Sequence, residues 1–183
     1  FGALTVGIET DFDGCMQLVQ QLTKKHNIYL LNSMNSVRIE GQKAIGIETL
    51  HQLNWQVPDW FVIPVGNAGN ITAYWKGYRE YQEAGQSDTL PRMMGFQAAG
   101  AAPFVEDAFI DNPETIASAI RIGKPASWQP AKAALQFSGG KIDKVTDEEI
   151  LTAYQMITAQ EGIFVEPASA AALAGIIKLQ KAG

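Results

Sequence analysis

Apolar and polar positions alternate between two rhythms along the 183-residue chain. Short apolar or alternating runs at 3–9, 28–31, 60–65, 92–98, 142–145 and 163–165 have the character of strands. Between them the spacing changes to that of helices. Asp11 suits an N-cap, and beyond it Cys15, Leu18, Val19 and Leu22 share one face, with Lys24, Lys25 and His26 at the C-terminal end. Helical patterns return over 39–53, where Gly41 and Gly46 weaken them, and from Asn70, a good N-cap, to about Ala84, where Gly85 can stop the helix. Further helices are predicted over 104–109, 115–122 and 128–137. Thr146-Asp-Glu-Glu149 is a capping box, followed on one face by Ile150, Leu151, Tyr154 and Ile157, and closed by Glu161-Gly162. Glu166-Pro167-Ala168-Ser169 opens the last helix, with Pro167 suited to its first position. Strands alternating with helices predict an α/β fold: three layers, with a mostly parallel, twisted sheet and helices on both faces.

One stretch organises the rest. The apolar run ending Ile63-Pro-Val65 meets Gly66-Asn67-Ala68-Gly69-Asn70, and a helix follows. A strand, a glycine turn and a helix N-terminus bring free backbone N–H groups and the positive end of a helix dipole together, which suits a phosphate. The spacing does not match a P-loop, since no lysine precedes Lys76, nor a dinucleotide fingerprint, since Thr72 stands where a third glycine belongs. An ordinary strand-to-helix turn has the same local pattern, and the turn alone does not separate the two readings. In parallel sheets ligands sit at the carboxyl ends of strands, so the Asn32–Arg38 turn and the Gly66–Asn70 turn are placed to share one anion. Arg38 lies at a helix start, where the dipole disfavours a cation, so its position asks for a functional reason. Ser33, alone, is an ordinary turn hydroxyl.

Composition narrows the classes. The net charge is −5 with only four arginines, which argues against a nucleic-acid surface. The longest apolar stretch, 168–177, is too short to cross a bilayer, so no membrane partner is expected. Cys15 is alone and no charged-then-apolar leader precedes the first apolar run, which together predict a cytoplasmic protein. Cys15, His26 and His51 are scattered and form no metal-ligand pattern. Trp55, Trp60, Phe61, Tyr74 and Trp75 read as core or interface residues, and Glu148 and Glu149 as cap charges.

Four motifs occur in order: Asn32-Ser-Met-Asn-Ser-Val-Arg38-Ile-Glu-Gly-Gln42, Pro64-Val-Gly-Asn-Ala-Gly-Asn70, Thr115-Ile-Ala-Ser-Ala-Ile-Arg-Ile-Gly123 and Glu166-Pro-Ala-Ser-Ala170. Together they resemble the threonine synthase branch of the tryptophan-synthase-like, fold type II pyridoxal-phosphate enzymes, over nearly the whole chain. The resemblance implies pyridoxal 5′-phosphate as cofactor and conversion of O-phospho-L-homoserine and water to L-threonine and phosphate, a lyase activity in threonine biosynthesis. It implies that Gly66, Asn67, Ala68, Gly69 and Asn70 hold the cofactor phosphate, and that Ser33, Arg38 and Asn67 meet the substrate. It gives Glu166 and Ser169 a place near the cofactor but no role. It also implies a homodimer for the full enzyme, with residues 1–31 as the tail of a smaller domain and 32–183 as part of the large cofactor-binding domain.

The departures matter as much. Asn35-Ser36 stands where the family has Asn-Pro, so the turn before Arg38 is less rigid. The family's Schiff-base lysine belongs to a Ser-Phe-Lys-Asp motif, and none of the ten lysines here lies in one. With Phe1 at one end and Gly183 directly behind a helix, the chain is expected to be the central part of the enzyme, with no catalytic residue of its own and no activity alone. Two alternatives stand beside this: a related threonine or serine dehydratase on the same scaffold, and a non-catalytic binding or assembly module.

Overall fold

The computed structural model describes residues 2–182; Phe1 and Gly183 lie outside them. Three strands form the sheet: β1 (Trp60–Pro64), β2 (Arg92–Ala98) and β3 (Lys141–Val145). They lie in the order β1-β2-β3, all parallel, with Trp60 opposite Arg92 and Met94 opposite Lys141. Helix α1 (Phe12–Lys25) precedes α2 (Ser36–Gln42) and α3 (Ala44–Gln52). The crossover from β1 to β2 is α4 (Gly69–Glu83); that from β2 to β3 contains α5 (Pro103–Glu106) and α6 (Trp128–Ser138). Helices α7 (Asp147–Met156) and α8 (Pro167–Ala182) close the chain.

Alternation along the strands sorts two cores. Ile63, Val65 and Met93 pack on Ile71 and Trp75 of α4 and on Ala131 and Ala134 of α6. Met94, Phe96 and Ala98 point to the opposite face and meet Ile150 and Ala153 of α7 and Ala170, Ala171 and Ala174 of α8. Every residue of β2 except Arg92 is buried, as a central strand covered on both faces requires. The small side chains of α8 let that helix close on the fully buried Phe96.

Helices α2 and α3 lie against α4 through a close approach at Gly77. A Cβ there runs into the Lys43 carbonyl oxygen between them. Around this contact the Lys43 ammonium pairs with Glu40 at 2.9 Å and Glu80 at 2.7 Å, and Lys76 pairs with Glu40. These charges are solvated and add little stability, but they register α2 on α4.

Several expectations change. The runs at 3–9, 28–31 and 163–165 form no strand, because no neighbouring strand supplies them a ladder among the described residues. The helix read over 39–53 starts earlier, capped by the Asn35 side chain accepting from the Val37 N–H at 2.9 Å, and is split at Lys43. Asn70 is not an N-cap: α4 begins at Gly69 behind Ala68 in the left-handed region (φ 63°). The stretch 115–122 carries only a 3₁₀ turn, Ser118–Ile120. Thr146 and Glu149 do form the capping box, and Asp11 does cap α1.

Candidate functional site

The carboxyl end of β1 leads through Val65 into the turn that opens α4. Because Ala68 rather than a polar side chain starts the helix, no N-cap side chain takes the N–H groups of its first residues, Gly69 and Asn70. Those of Gly66, Asn67, Ala68, Gly69 and Asn70 meet no protein acceptor among the described residues. Such N–H groups at the positive end of a 15-residue helix form a seat for an anion. The Asn70 side chain is spent on shaping it: Nδ2 donates to the Pro64 carbonyl at 2.6 Å and Oδ1 accepts from the Ile71 N–H at 2.8 Å. Asn67 ties the turn to the next loop, its Oδ1 accepting from Ala126 at 3.2 Å and its carbonyl from Ser127 at 3.0 Å. That leaves the Asn67 Nδ2 donors for a ligand.

The opposite wall comes from the turn before α2. Arg38 Nη1 donates to Ser33 Oγ across a long 3.4 Å, and with the Gln42 amide turned so that its oxygen faces the guanidinium, Oε1 accepts from Nη2 at 2.9 Å and Nε at 3.3 Å. Gln42 thereby fixes the plane of the guanidinium fork. No carboxylate pairs with Arg38 among the described residues, so its charge is available to an anion. The third wall is Ala119 and Ile120. A Cβ added at Gly66 would lie 3.1 Å from Ile120 Cα and 3.2 Å from the Ala119 oxygen, so glycine is what lets the turn and this wall meet. Glu166 and Ala168, at the start of α8, close the rim.

The open cavity between these walls measures about 290 Å³. Ser33, Arg38, Gly66, Asn67, Ala68, Gly69 and Asn70 all border it, as does Glu166, while Ser169 is not among its lining residues. Gln42, Ala119 and Ile120 also line it and had been given no role from sequence. For Gln42 a signal existed, its position four residues after Arg38 on one helix. A wider cavity of about 550 Å³ adjoins and shares Ser33 and Asn67, with Asp11, Asp13, Glu114 and Arg121 around it. There burial, and then the charge of Asp11, pushes the Asp13 carboxyl up from its ordinary value. The smaller cavity has donors on one side and a guanidinium on the other, an arrangement that suits an anion.

The family model described as pyridoxal-phosphate dependent enzyme matches residues 1–183. A threonine synthase from Synechocystis sp. is 53% identical over 97% of this chain and 46% of its own length. One from Methanocaldococcus jannaschii is 50% identical over all of this chain and 47% of its own. The chain thus spans about half the length of the curated relatives it matches. In three dimensions, maize serine racemase superposes with a TM-score of 0.74, at 19% identity, over 94% of this chain and 51% of that one. At that identity the likeness speaks for the fold alone.

Proposed function

The chain belongs to the pyridoxal-phosphate dependent enzyme family, and on that premise we propose that it holds the phosphate of pyridoxal phosphate on the Gly66–Asn70 turn and serves the threonine synthase reaction, O-phospho-L-homoserine and water giving L-threonine and phosphate. The observation that carries this is the row of unspent N–H groups at the start of α4, opening into a cavity whose far wall bears Arg38. The fit is steric as well as polar. Gly69 leaves the floor open, since a Cβ there has nothing nearer than Ile39 Cδ1 at 3.8 Å and Ser127 Oγ at 4.0 Å.

When bound, pyridoxal phosphate supplies an electron sink for negative charge at the substrate carbons, and the protein supplies orientation. The turn fixes the cofactor by its phosphate, through backbone donors that need no reorganisation. Arg38 and Ser33 receive the substrate phosphate, the guanidinium fork pairing two of its oxygens. Asn67, bordering both cavities, offers its amide donors to the substrate. The lysine that anchors the aldehyde in the Ser-Phe-Lys-Asp motif has no counterpart in this sequence, so by this reading these 183 residues keep the phosphate seat without a covalent anchor and do not turn over alone.

The dehydratase reading is weaker because threonine and serine bring no phosphate for Arg38 to meet. By the same family reading, residues 1–31 belong to a smaller domain, supported by an α1 with no buried residue and by the exposure of Leu4, Tyr29 and Leu31. That reading further makes the working enzyme a cytoplasmic homodimer; no helix among the described residues is long and apolar enough to cross a membrane. The test is to supply the protein, joined to the segments its relatives carry, with pyridoxal phosphate and O-phosphohomoserine, threonine or serine in turn. Equimolar threonine and phosphate from the first supports the proposal. A keto acid and ammonia from the others, with no threonine from the first, overturns it.

A further inference from the structure

The wall facing the phosphate turn hangs from a residue that no part of the site touches. Over 115–122 the backbone forms no α-helix, and at its start the Thr115 hydroxyl and the Ile116 N–H are both taken by one side chain from α7. Thr115 Oγ1 donates to Asp147 Oδ1 at 2.5 Å, and the Ile116 N–H donates to Oδ2 at 3.1 Å. Thr115 Oγ1 in turn accepts from the Ala117 N–H at 3.1 Å, and the Ala117 carbonyl accepts from the Ile120 N–H at 3.0 Å. Ile120, with Ala119, is what packs on Gly66. The relay Asp147, Thr115, Ala117, Ile120 therefore ends at the phosphate turn, and Thr115, Ala117 and Ile120 are all buried.

Asp147 is not needed to cap its own helix. Thr146 and Glu149 already do so through the reciprocal capping box, which leaves both carboxylate oxygens for the 115–116 backbone and hydroxyl. The other tethers of the segment lie toward its ends, Glu114 N–H to the Gly100 carbonyl and Ile110 N–H to the Gly123 carbonyl.

We infer that Asp147 is a positioning residue for the cofactor phosphate: acting through Thr115, it sets the Ala119–Ile120 wall against the Gly66 turn. This rests on the reading that the turn holds pyridoxal phosphate. The test is titration of the protein with pyridoxal phosphate, followed by absorbance and by competition with inorganic phosphate, for the wild type, Asp147→Ala, Thr115→Val and Thr115→Ser. Amide hydrogen exchange over 117–122 and thermal unfolding are measured on the same samples. The expected result is a roughly tenfold weaker affinity and faster exchange at 117–122 in Asp147→Ala and Thr115→Val, scaled from a hydrogen bond to a charged group. Thr115→Ser, which keeps the hydroxyl, restores both. Affinity and exchange unchanged from wild type while only the melting temperature falls would show a purely structural role and overturn the inference. So would a serine as defective as valine. Should Asp147→Ala not fold, the Thr115 pair decides the matter. A wild type with no affinity for pyridoxal phosphate fails the functional proposal itself, and the exchange data then still report whether Asp147 holds the wall.

Discussion

Adding one methyl group at each of two glycines in the Gly66–Asn70 turn separates crowding within the protein from crowding of the proposed ligand. At Gly66 a methyl meets Ile120 Cα at 3.1 Å, the Ala119 oxygen at 3.2 Å and Ile122 Cγ1 at 3.3 Å. Two of the three are backbone atoms that cannot rotate away, so the wall must retreat by a few tenths of an ångström. Overpacking of this kind costs about 1–3 kcal/mol. For a chain of this size each kcal/mol lowers the melting temperature by about 2–4 °C, so Gly66→Ala should melt roughly 2–12 °C lower even without ligand. At Gly69 the nearest atoms stand at 3.8 and 4.0 Å, an ordinary contact. Gly69→Ala should fold as well as wild type, or up to about 1 kcal/mol better through the loss of unfolded-state freedom. Its methyl borders the cavity, however, where a phosphate oxygen would approach the N–H groups, and affinity for pyridoxal phosphate should drop about tenfold, or about 1.4 kcal/mol. The assays are thermal unfolding by circular dichroism and absorbance titration with pyridoxal phosphate. If Gly69→Ala binds like wild type, the phosphate does not rest on this turn. If Gly66→Ala melts like wild type, the turn is not pressed against Ala119 and Ile120.

Arg38→Ala, in the enzyme carrying all its segments, should raise KM for O-phosphohomoserine about tenfold with a smaller change in kcat; the exposure of Arg38 puts it at the low end for a charged hydrogen bond. Arg38→Lys should recover only part of this, since an ammonium lacks the fork, and an unchanged KM in both variants would remove Arg38 from the substrate site. Tyr78 is buried with its hydroxyl unpartnered, and burial pushes its pKa up to about 12. The folded state thus keeps a proton that the unfolded chain loses near pH 10, so stability should decline between about pH 10 and 12. Tyr78→Phe should melt about 2–4 °C higher at neutral pH and lose its share of that alkaline decline; a lower melting temperature would mean that the hydroxyl has a partner. Gly77→Ala should lower the melting temperature and, by lifting Lys43 and with it α2, weaken binding of inorganic phosphate near Arg38; unchanged phosphate binding would show that α2 does not depend on this contact.

What the sequence revealed follows from how local each cause is. The strand 92–98 and the capping box at Thr146 are set by neighbouring residues, and both stand as read. The turn Gly66–Asn70 is legible because its five residues are contiguous. Asn70 misled because a good capping side chain was instead drawn back to the Pro64 carbonyl, while Ala68 took the left-handed conformation. The segment 115–122 has helical apolar spacing, yet Thr115 and Ile116 are tied to Asp147, distant in sequence, and the backbone keeps only the 3₁₀ turn Ser118–Ile120. Strands at 3–9, 28–31 and 163–165 have the right residues but need a neighbour to pair with, which no local pattern encodes. Ala119 and Ile120 carry no chemistry of their own, and only their packing on Gly66 marks them as part of the site.

The parallel register also has a kinetic side. Trp60 must find Arg92, and Met94 must find Lys141, each across an entire crossover, so loop-closure entropy is lost before the ladder returns anything. Chains built this way fold slowly compared with those of local contacts. The two halves of the proposed phosphate seat belong to different stages of that process. The turn and α4 are sequence neighbours and can assemble with β1 alone, whereas Ala119 and Ile120 arrive with the second crossover. Pyridoxal phosphate added during refolding should therefore leave the early rate untouched and act only by slowing unfolding of the finished sheet.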